Sequence, residues 1–99
     1  MEFSQDLRAG VLCGEITVSF RLWRRAKVKS GGRYRVGGGQ IEVDSVERVP
    51  FFSIDDSDLQ RSGESDLASL RERAAHAGPI RDDTVLYRIE FHVVDVTPP

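Results

Sequence analysis

The sequence predicts an α+β fold, a small mixed β-barrel with helical lids. Its length of 99 residues is close to the commonest domain size. Several segments alternate apolar and polar residues with a period of two, which indicates strands, and two others repeat apolar residues at helical spacing. Because the sequence has neither an internal repeat nor a low-complexity linker, we expect a single domain over residues 1–99, with 97–99 as a frayed tail.

Two helices and one helical turn are predicted. Ser4 can cap a helix over residues 4–13, because its hydroxyl can accept from a free amide of the first turn. A helical turn is predicted over residues 56–61. Ser65 can cap a second helix, whose inner stripe consists of Leu67, Leu70, Ala74 and Ala77.

The strands follow from the period-two pattern. One strand starts at Ile16, a short one covers 33–36, and a long one covers 41–49. In the long strand the alternation slips near Asp44, which indicates a β-bulge. The last strand alternates from Val85 onward. The predicted core is Ile16, Val18, Phe20, Ile41, Val43, Val85, Tyr87, Ile89 and Phe91.

Charge is strongly segregated along the chain. The formal net charge is -2, yet residues 21–35 hold five Arg, two Lys and no acid, while residues 36–99 sum to -7. Such a run is often only a solvated loop. Trp23 and Tyr34 are interleaved with these cations, however, and Arg can both grip phosphate and stack on bases.

We therefore predict RNA or another single-stranded nucleic acid as the partner. A solvated loop remains the alternative for the same residues, and Trp23 could equally cover the edge of the core. The predicted nucleic-acid surface consists of Arg21, Trp23, Arg24, Arg25, Lys27, Lys29, Arg33, Tyr34 and Arg35.

Other classes of protein fit the sequence poorly. Cys13 is the only cysteine, and His76 and His92 lie far apart, so no metal-ligand spacing is present and we predict neither a metal nor a cofactor. No apolar run approaches the roughly 18 residues of a membrane span. The N-terminal stretch lacks the pattern of a secretory signal, so a cytoplasmic location is the expectation. The oligomeric state is left open, with a monomer as the default.

The order of these segments resembles an ASCH domain, a member of the PUA-like β-barrel superfamily, and in particular the small single-domain bacterial ASCH proteins. The residues that carry the resemblance are Phe3, Gln5, Leu12, Gly14, Thr17, Val18, Ser19 and Arg21. The resemblance implies a PUA-like barrel of about five or six strands with two or three helices. It also implies an association with RNA.

One bacterial branch of the family hydrolyses acetylated cytidine with a lysine, a hydroxyl residue and a glutamate. The resemblance places the hydroxyl on Ser19, with Thr17 before it, and the glutamate near Glu64, but the lysine position is Ile16. An aliphatic side chain can neither move a proton nor hold an oxyanion, so we predict weak or absent turnover. A hydrolase using Ser19, Arg21 and Glu64, either an amidohydrolase or a ribonuclease, stays open. So does a protein-interaction domain using the acidic segment 55–66.

Overall fold

The computed structural model describes residues 1–75 and 78–96, and the side chains of all of these except residues 95 and 96. Ala77, the last residue of the predicted inner stripe, lies outside the described residues, as do His76 and the predicted frayed tail 97–99. No helix in the described ranges is long and apolar enough to cross a bilayer.

The described residues form three α-helices, a short 3-10 turn at Phe51–Ser53 and four strands. The helices are α1 (Gln5–Leu12), α2 (Asp56–Ser62) and α3 (Leu67–Ala74). The strands are β1 (Val18–Arg21), β2 (Arg33–Val36), β3 (Gly39–Pro50) and β4 (Val85–Val96). Each predicted helix and strand is present, with bounds that shift by a few residues.

The strands form one antiparallel sheet in the order β1-β4-β3-β2. The α+β class is confirmed, and the described part of the chain contains four strands rather than the expected five or six. The pairing of β3 with β4 shifts between Val43 and Ser45, so the bulge predicted near Asp44 is confirmed. Both β3 and β4 are 12 residues long, and this pair forms the centre of the sheet.

Two hydrophobic clusters pack on the two faces of this sheet. The first core lies under α1 and the segment that joins β1 to β2; its buried members are Phe3, Val11, Ile16, Val28, Val36, Ile41, Val43, Ile89 and Phe91. The second core lies under α2 and α3; its buried members are Val18, Phe20, Phe51, Ile54, Leu59, Leu70, Ile80 and Leu86.

The predicted core is corrected at one end of β4. Val85 is exposed and Tyr87 is only half-buried, whereas Leu86, which was not predicted, is buried. Leu86 faces the second core and Tyr87 packs against the first. Since helices or loops cover both faces here, the strand has no single buried side.

Candidate functional site

A cleft of about 350 Å³ lies between the start of α1, the edge strand β1 and α3. This volume is at the small end of the range for ligand pockets in proteins, about 300 to 1,000 Å³. The lining side chains that matter for chemistry are Phe3, Ser19, Arg21, Trp23, Glu64 and Arg73. The structure therefore brings together four residues that the sequence predicted as site residues: Ser19, Arg21, Trp23 and Glu64.

Arg21 is held in a fixed orientation at one wall of the cleft. Its Nε donates to Ser19 Oγ at 2.8 Å, and its guanidinium also donates to the Glu2 carbonyl oxygen at 2.6 Å. The guanidinium carbon lies 4.8 Å from the centre of the Phe3 ring. Burial lowers the pKa of Arg21 from its ordinary value, while the charge of Glu2 opposes that shift. Arg21 nevertheless remains a cation at neutral pH, because an arginine is effectively always protonated in proteins.

Glu64 supplies a buried carboxylate at the opposite wall. Its side chain is 2% exposed and accepts a hydrogen bond from Arg73 Nε at 2.5 Å. The preceding residue, Gly63, has a φ of +80°, and a Cβ there would lie 2.6 Å from Ile16 Cδ1. Glycine suits this left-handed turn, and the residue after it, Glu64, lines the cleft.

Arg73 connects Glu64 to α1. Its guanidinium donates to the two carboxylate oxygens of Asp6 at 3.0 and 3.4 Å. Hydrogen bonds to Asp6 and Glu64 raise the pKa of Arg73, and the Arg73 guanidinium lowers the pKa of Asp6. The positive charge of Arg73 is thus compensated within the protein, and Arg21 is the cation that a ligand in the cleft would meet.

Ser19 and Thr17, the two hydroxyl candidates, are separated by the fold. Ser19 is buried in the cleft wall, where its Oγ accepts from Arg21. Thr17 lies outside the cleft, and its Oγ1 accepts from Arg61 Nε at 3.0 Å. Ile16, which stands at the position of the family lysine, is buried in the first core.

The basic segment, residues 24–30, directly follows the cleft residue Trp23. Trp23 lines the cleft and packs against Tyr87, with ring centres 6.0 Å apart, and Lys27 Nζ lies 5.8 Å from the centre of the Trp23 ring. Among the described residues, the four cations between Trp23 and Ser30 are exposed and form no salt bridge: Arg24, Arg25, Lys27 and Lys29. Trp23 thus covers the core edge, one of the two alternatives considered from the sequence, and it also lines the cleft.

The segment is anchored although its cations are free. Val28 is buried in the first core, and Ser30 Oγ donates to the Asp44 carbonyl oxygen at 2.9 Å. The backbone N–H of Lys29 donates to the Tyr34 hydroxyl at 2.9 Å. Charged side chains on an anchored backbone lose less entropy on binding than those on a free loop.

The remaining predicted residues lie elsewhere. Arg33 and Arg35 pair with Glu42 and Gln40 across the sheet, on the edge strand farthest from β1 and on the face opposite Tyr34. Arg33 Nε forms a salt bridge with Glu42 at 3.1 Å, and Tyr34 packs against the first core. The register therefore does not place Arg33 and Arg35 on the face of Arg21, and the predicted surface is divided between the two faces of the sheet.

Sequence reasoning missed Arg73 and Phe3 as cleft residues. Asp6 and Arg73 are 67 residues apart in sequence, so no local spacing could have paired them. Phe3 was noted only as part of the family resemblance. Its packing against Phe91, at 5.6 Å between ring centres, is what places it beneath Arg21.

The sheet, the two cores and the cleft define a small α+β protein with an ASCH-like fold. Two solved structures share this fold. One is the ASCH domain from Lactobacillus crispatus JV V101, with a TM-score of 0.73 and 21% identity over 91% of this chain and 71% of that chain. The other is protein EF3133 from Enterococcus faecalis V583, assigned to the family model DUF984, with a TM-score of 0.73 and 19% identity over 95% of this chain and 73% of that chain.

The resemblance stated from the sequence is thereby confirmed at the level of the fold. Neither a protein-family model nor a curated protein matches the sequence itself. At identities of 19% and 21% the likeness concerns architecture. The chemistry of the cleft therefore depends on this chain's own residues.

Proposed function

We propose that this protein binds single-stranded nucleic acid, most favourably RNA. One nucleotide occupies the cleft, and the phosphates that follow it lie along the basic segment. The observation that carries the proposal is that the cleft and the basic segment are continuous. Trp23 lines the cleft, and four cations follow it directly in the chain. Among the described residues these cations have no acidic partner: Arg24, Arg25, Lys27 and Lys29.

The cleft favours an unpaired base over a duplex. A base must leave its stack to enter a cavity of about 350 Å³, and bases of single strands do so at little cost. Within the cleft, Trp23 offers an aromatic ring on which a base can stack, and Arg21 offers a buried hydrogen-bond donor. The cations outside it supply affinity that is independent of sequence.

The first experiment is a salt titration of binding to labelled single-stranded RNA, single-stranded DNA and duplex RNA. If three or four cations contact phosphates, the log-log salt slope for a single strand should be about -2 to -3. The double variant Arg24→Glu/Arg25→Glu should weaken binding to all sequences alike and make the slope shallower by about 1.4. Unchanged affinity in this variant, with its fold intact, would reduce the segment to a solvated loop.

Two controls make this comparison specific. Arg71→Glu/Arg81→Glu changes the net charge by the same amount on α3 and the turn before β4, away from the basic segment, and should leave the slope near that of the wild type. Trp23→Ala should cost about 1–3 kcal/mol of binding if the ring stacks on a base, and Trp23→Phe should recover most of this loss.

A hydrolase is the second candidate, because Ser19, Arg21 and Glu64 line one cleft. The weakness of the hydrolase candidate is that Ser19 lacks a general base to take its proton. The hydrogen-bond partner found for Ser19 Oγ in the described structure is Arg21, which cannot accept a proton, and the lysine position is the buried Ile16.

The two candidates are separated by an activity assay on acetylated cytidine and on a mixed single-stranded RNA. We expect binding without turnover. Turnover that disappears in both Ser19→Ala and Glu64→Gln would replace the binding proposal by the hydrolase. Absence of both binding and turnover would favour a protein partner for the acidic segment 55–66.

A further inference from the structure

A second cluster of side chains with ligand chemistry lies away from the cleft, on β3 and β4. Glu42 and His92 are direct cross-strand partners in this antiparallel pair. Asp44 falls at the bulge, where the register shifts between Val43 and Ser45 and leaves it without a partner of its own. The alternation along β3 directs these side chains away from the first core, which holds Ile41 and Val43.

The donor atoms of this cluster are close together. His92 Nδ1 lies 2.9 and 3.0 Å from the two carboxylate oxygens of Asp44, and His92 Nε2 lies 3.8 Å from Glu42 Oε2. One ligand atom from each of the three residues can be chosen so that all lie within 4.8 Å of one another. Each nitrogen of the ring therefore has a carboxylate oxygen nearby.

We propose that Glu42, Asp44 and His92 form a surface site for a divalent transition-metal ion of the Zn²⁺ type. In a four-coordinate site with bonds of 2.0–2.2 Å, neighbouring ligand atoms are about 3.3–3.6 Å apart. One donor atom from each residue lies within 4.8 Å of the others, so the side chains must close in on the ion to reach this spacing. The side chains of His92 and Asp44 are 48% and 41% exposed, which leaves them free to rotate toward an ion.

The chemistry of the donors selects the class of ion. An imidazole nitrogen favours Zn²⁺ and similar transition ions over Mg²⁺ and Ca²⁺, which prefer an all-oxygen shell. The two carboxylates balance the charge of a divalent ion. Because β3 and β4 are the two longest strands of the sheet and are paired along their length, the backbone that carries the ligands is rigid.

Arg33 is the group that competes with an ion. It forms a salt bridge with Glu42 Oε1 at 3.1 Å, while Glu42 Oε2 faces His92. Removing Arg33 would free Glu42 and take away a nearby positive charge. Arg33→Gln is therefore expected to tighten metal binding.

The test uses the full chain with Cys13→Ser as the background, so that the exposed thiol does not bind the metal. Calorimetric titration with Zn²⁺ should show one saturable site and no comparable binding of Mg²⁺. His92→Ala and Asp44→Ala should each weaken Zn²⁺ binding at least about tenfold. His76→Ala is the matched control and should leave the affinity unchanged.

Nuclear magnetic resonance of the histidine side chains gives a readout that does not depend on affinity. The imidazole resonances of His92 should shift with Zn²⁺ and reach a plateau at one equivalent, while those of His76 stay in place. The proposal is overturned if His92→Ala binds Zn²⁺ as tightly as the background protein, or if the His76 resonances are the ones that respond.

Discussion

Arg73 is the residue whose contacts join two walls of the cleft. It binds Glu64, on the turn before α3, and Asp6, on α1. Glu64 is 2% exposed and Arg73 is 35% exposed, so the buried carboxylate relies on a partly buried cation. Loss of that cation leaves a charge with neither water nor a partner, which is the costly case for a buried ion pair.

The first prediction at this scale is that Arg73→Met destabilises the protein by about 1–3 kcal/mol in urea unfolding. The additional variant Glu64→Gln should recover part of this loss, because the buried charge is then gone as well. Arg33→Met is the matched control, since its pair with Glu42 is more exposed and should be worth less than about 1 kcal/mol. Equal stability of the single and double variants would show that Glu64 does not depend on Arg73.

Individual cleft residues were predictable only where they share a strand or a motif. The period of β1 placed Ser19, Arg21 and Trp23 on one side, and they do line the cleft. Glu64 came from the family resemblance. Thr17 falls on the same side as Ser19 by the period-two pattern, but it lies before β1. There the main chain is hydrogen-bonded to α2, since the Thr17 N–H donates to the Arg61 carbonyl oxygen at 2.9 Å. A contact 44 residues away thus removes Thr17 from the site that its spacing suggested.

At the scale of the elements, the helix caps differ from those predicted. The capping side chain of α3 is Asp66, whose Oδ1 accepts from the Ser69 N–H at 2.7 Å, rather than Ser65. Ser4 occupies the N-cap position of α1 without a side-chain cap hydrogen bond. Serine and aspartate cap about equally well, so sequence alone could not choose between the neighbours Ser65 and Asp66.

The second prediction concerns this cap and its dependence on pH. Asp66→Ala should lower the Tm by a few degrees, whereas Ser65→Ala should have a smaller effect. The hydrogen bond from the Ser69 amide lowers the pKa of Asp66 below its ordinary value of 3.8. Its contribution is therefore fully present above that ordinary value and is lost as the pH falls through the lower, folded-state pKa.

Asp66→Asn separates the two effects, because asparagine can cap the helix but does not titrate. Its Tm near neutral pH should approach that of the wild type. Between neutral pH and about pH 3 the wild type should lose more stability than Asp66→Asn. Thermal unfolding followed by circular dichroism measures both quantities, and parallel pH profiles of the two proteins would contradict the role given to Asp66.

For the whole molecule, the sequence predicted the α+β class, the element order and the bulge, but not how the core is divided. The alternation assigned Val18, Phe20, Ile41 and Ile89 to one core, whereas Val18 and Phe20 face α2 and α3 while Ile41 and Ile89 face α1. A period of two tells which residues share a face of a strand. It does not tell which faces another element covers, because that depends on contacts made far along the chain.

The start of β4 shows the consequence of this division of the core and gives the last prediction. Leu86 is 1% exposed in the second core, and Val85, its neighbour, is 42% exposed. Leu86→Ala should therefore cost about 2–5 kcal/mol, the range for a buried leucine that leaves a cavity. Val85→Ala should change stability by no more than about 0.5 kcal/mol, although the sequence pattern ranked Val85 as the core residue.

Urea unfolding of both variants, compared at equal m-values, measures the difference directly. Equal m-values matter because they show that both variants expose the same surface on unfolding. A large loss of stability in Val85→Ala together with a small loss in Leu86→Ala would mean that β4 presents its other face to α2 and α3. The division into two cores would then be wrong. In that orientation of β4, Arg88 and Glu90 would no longer face α2. Their ion pairs with Asp58 and Arg61 could then not form.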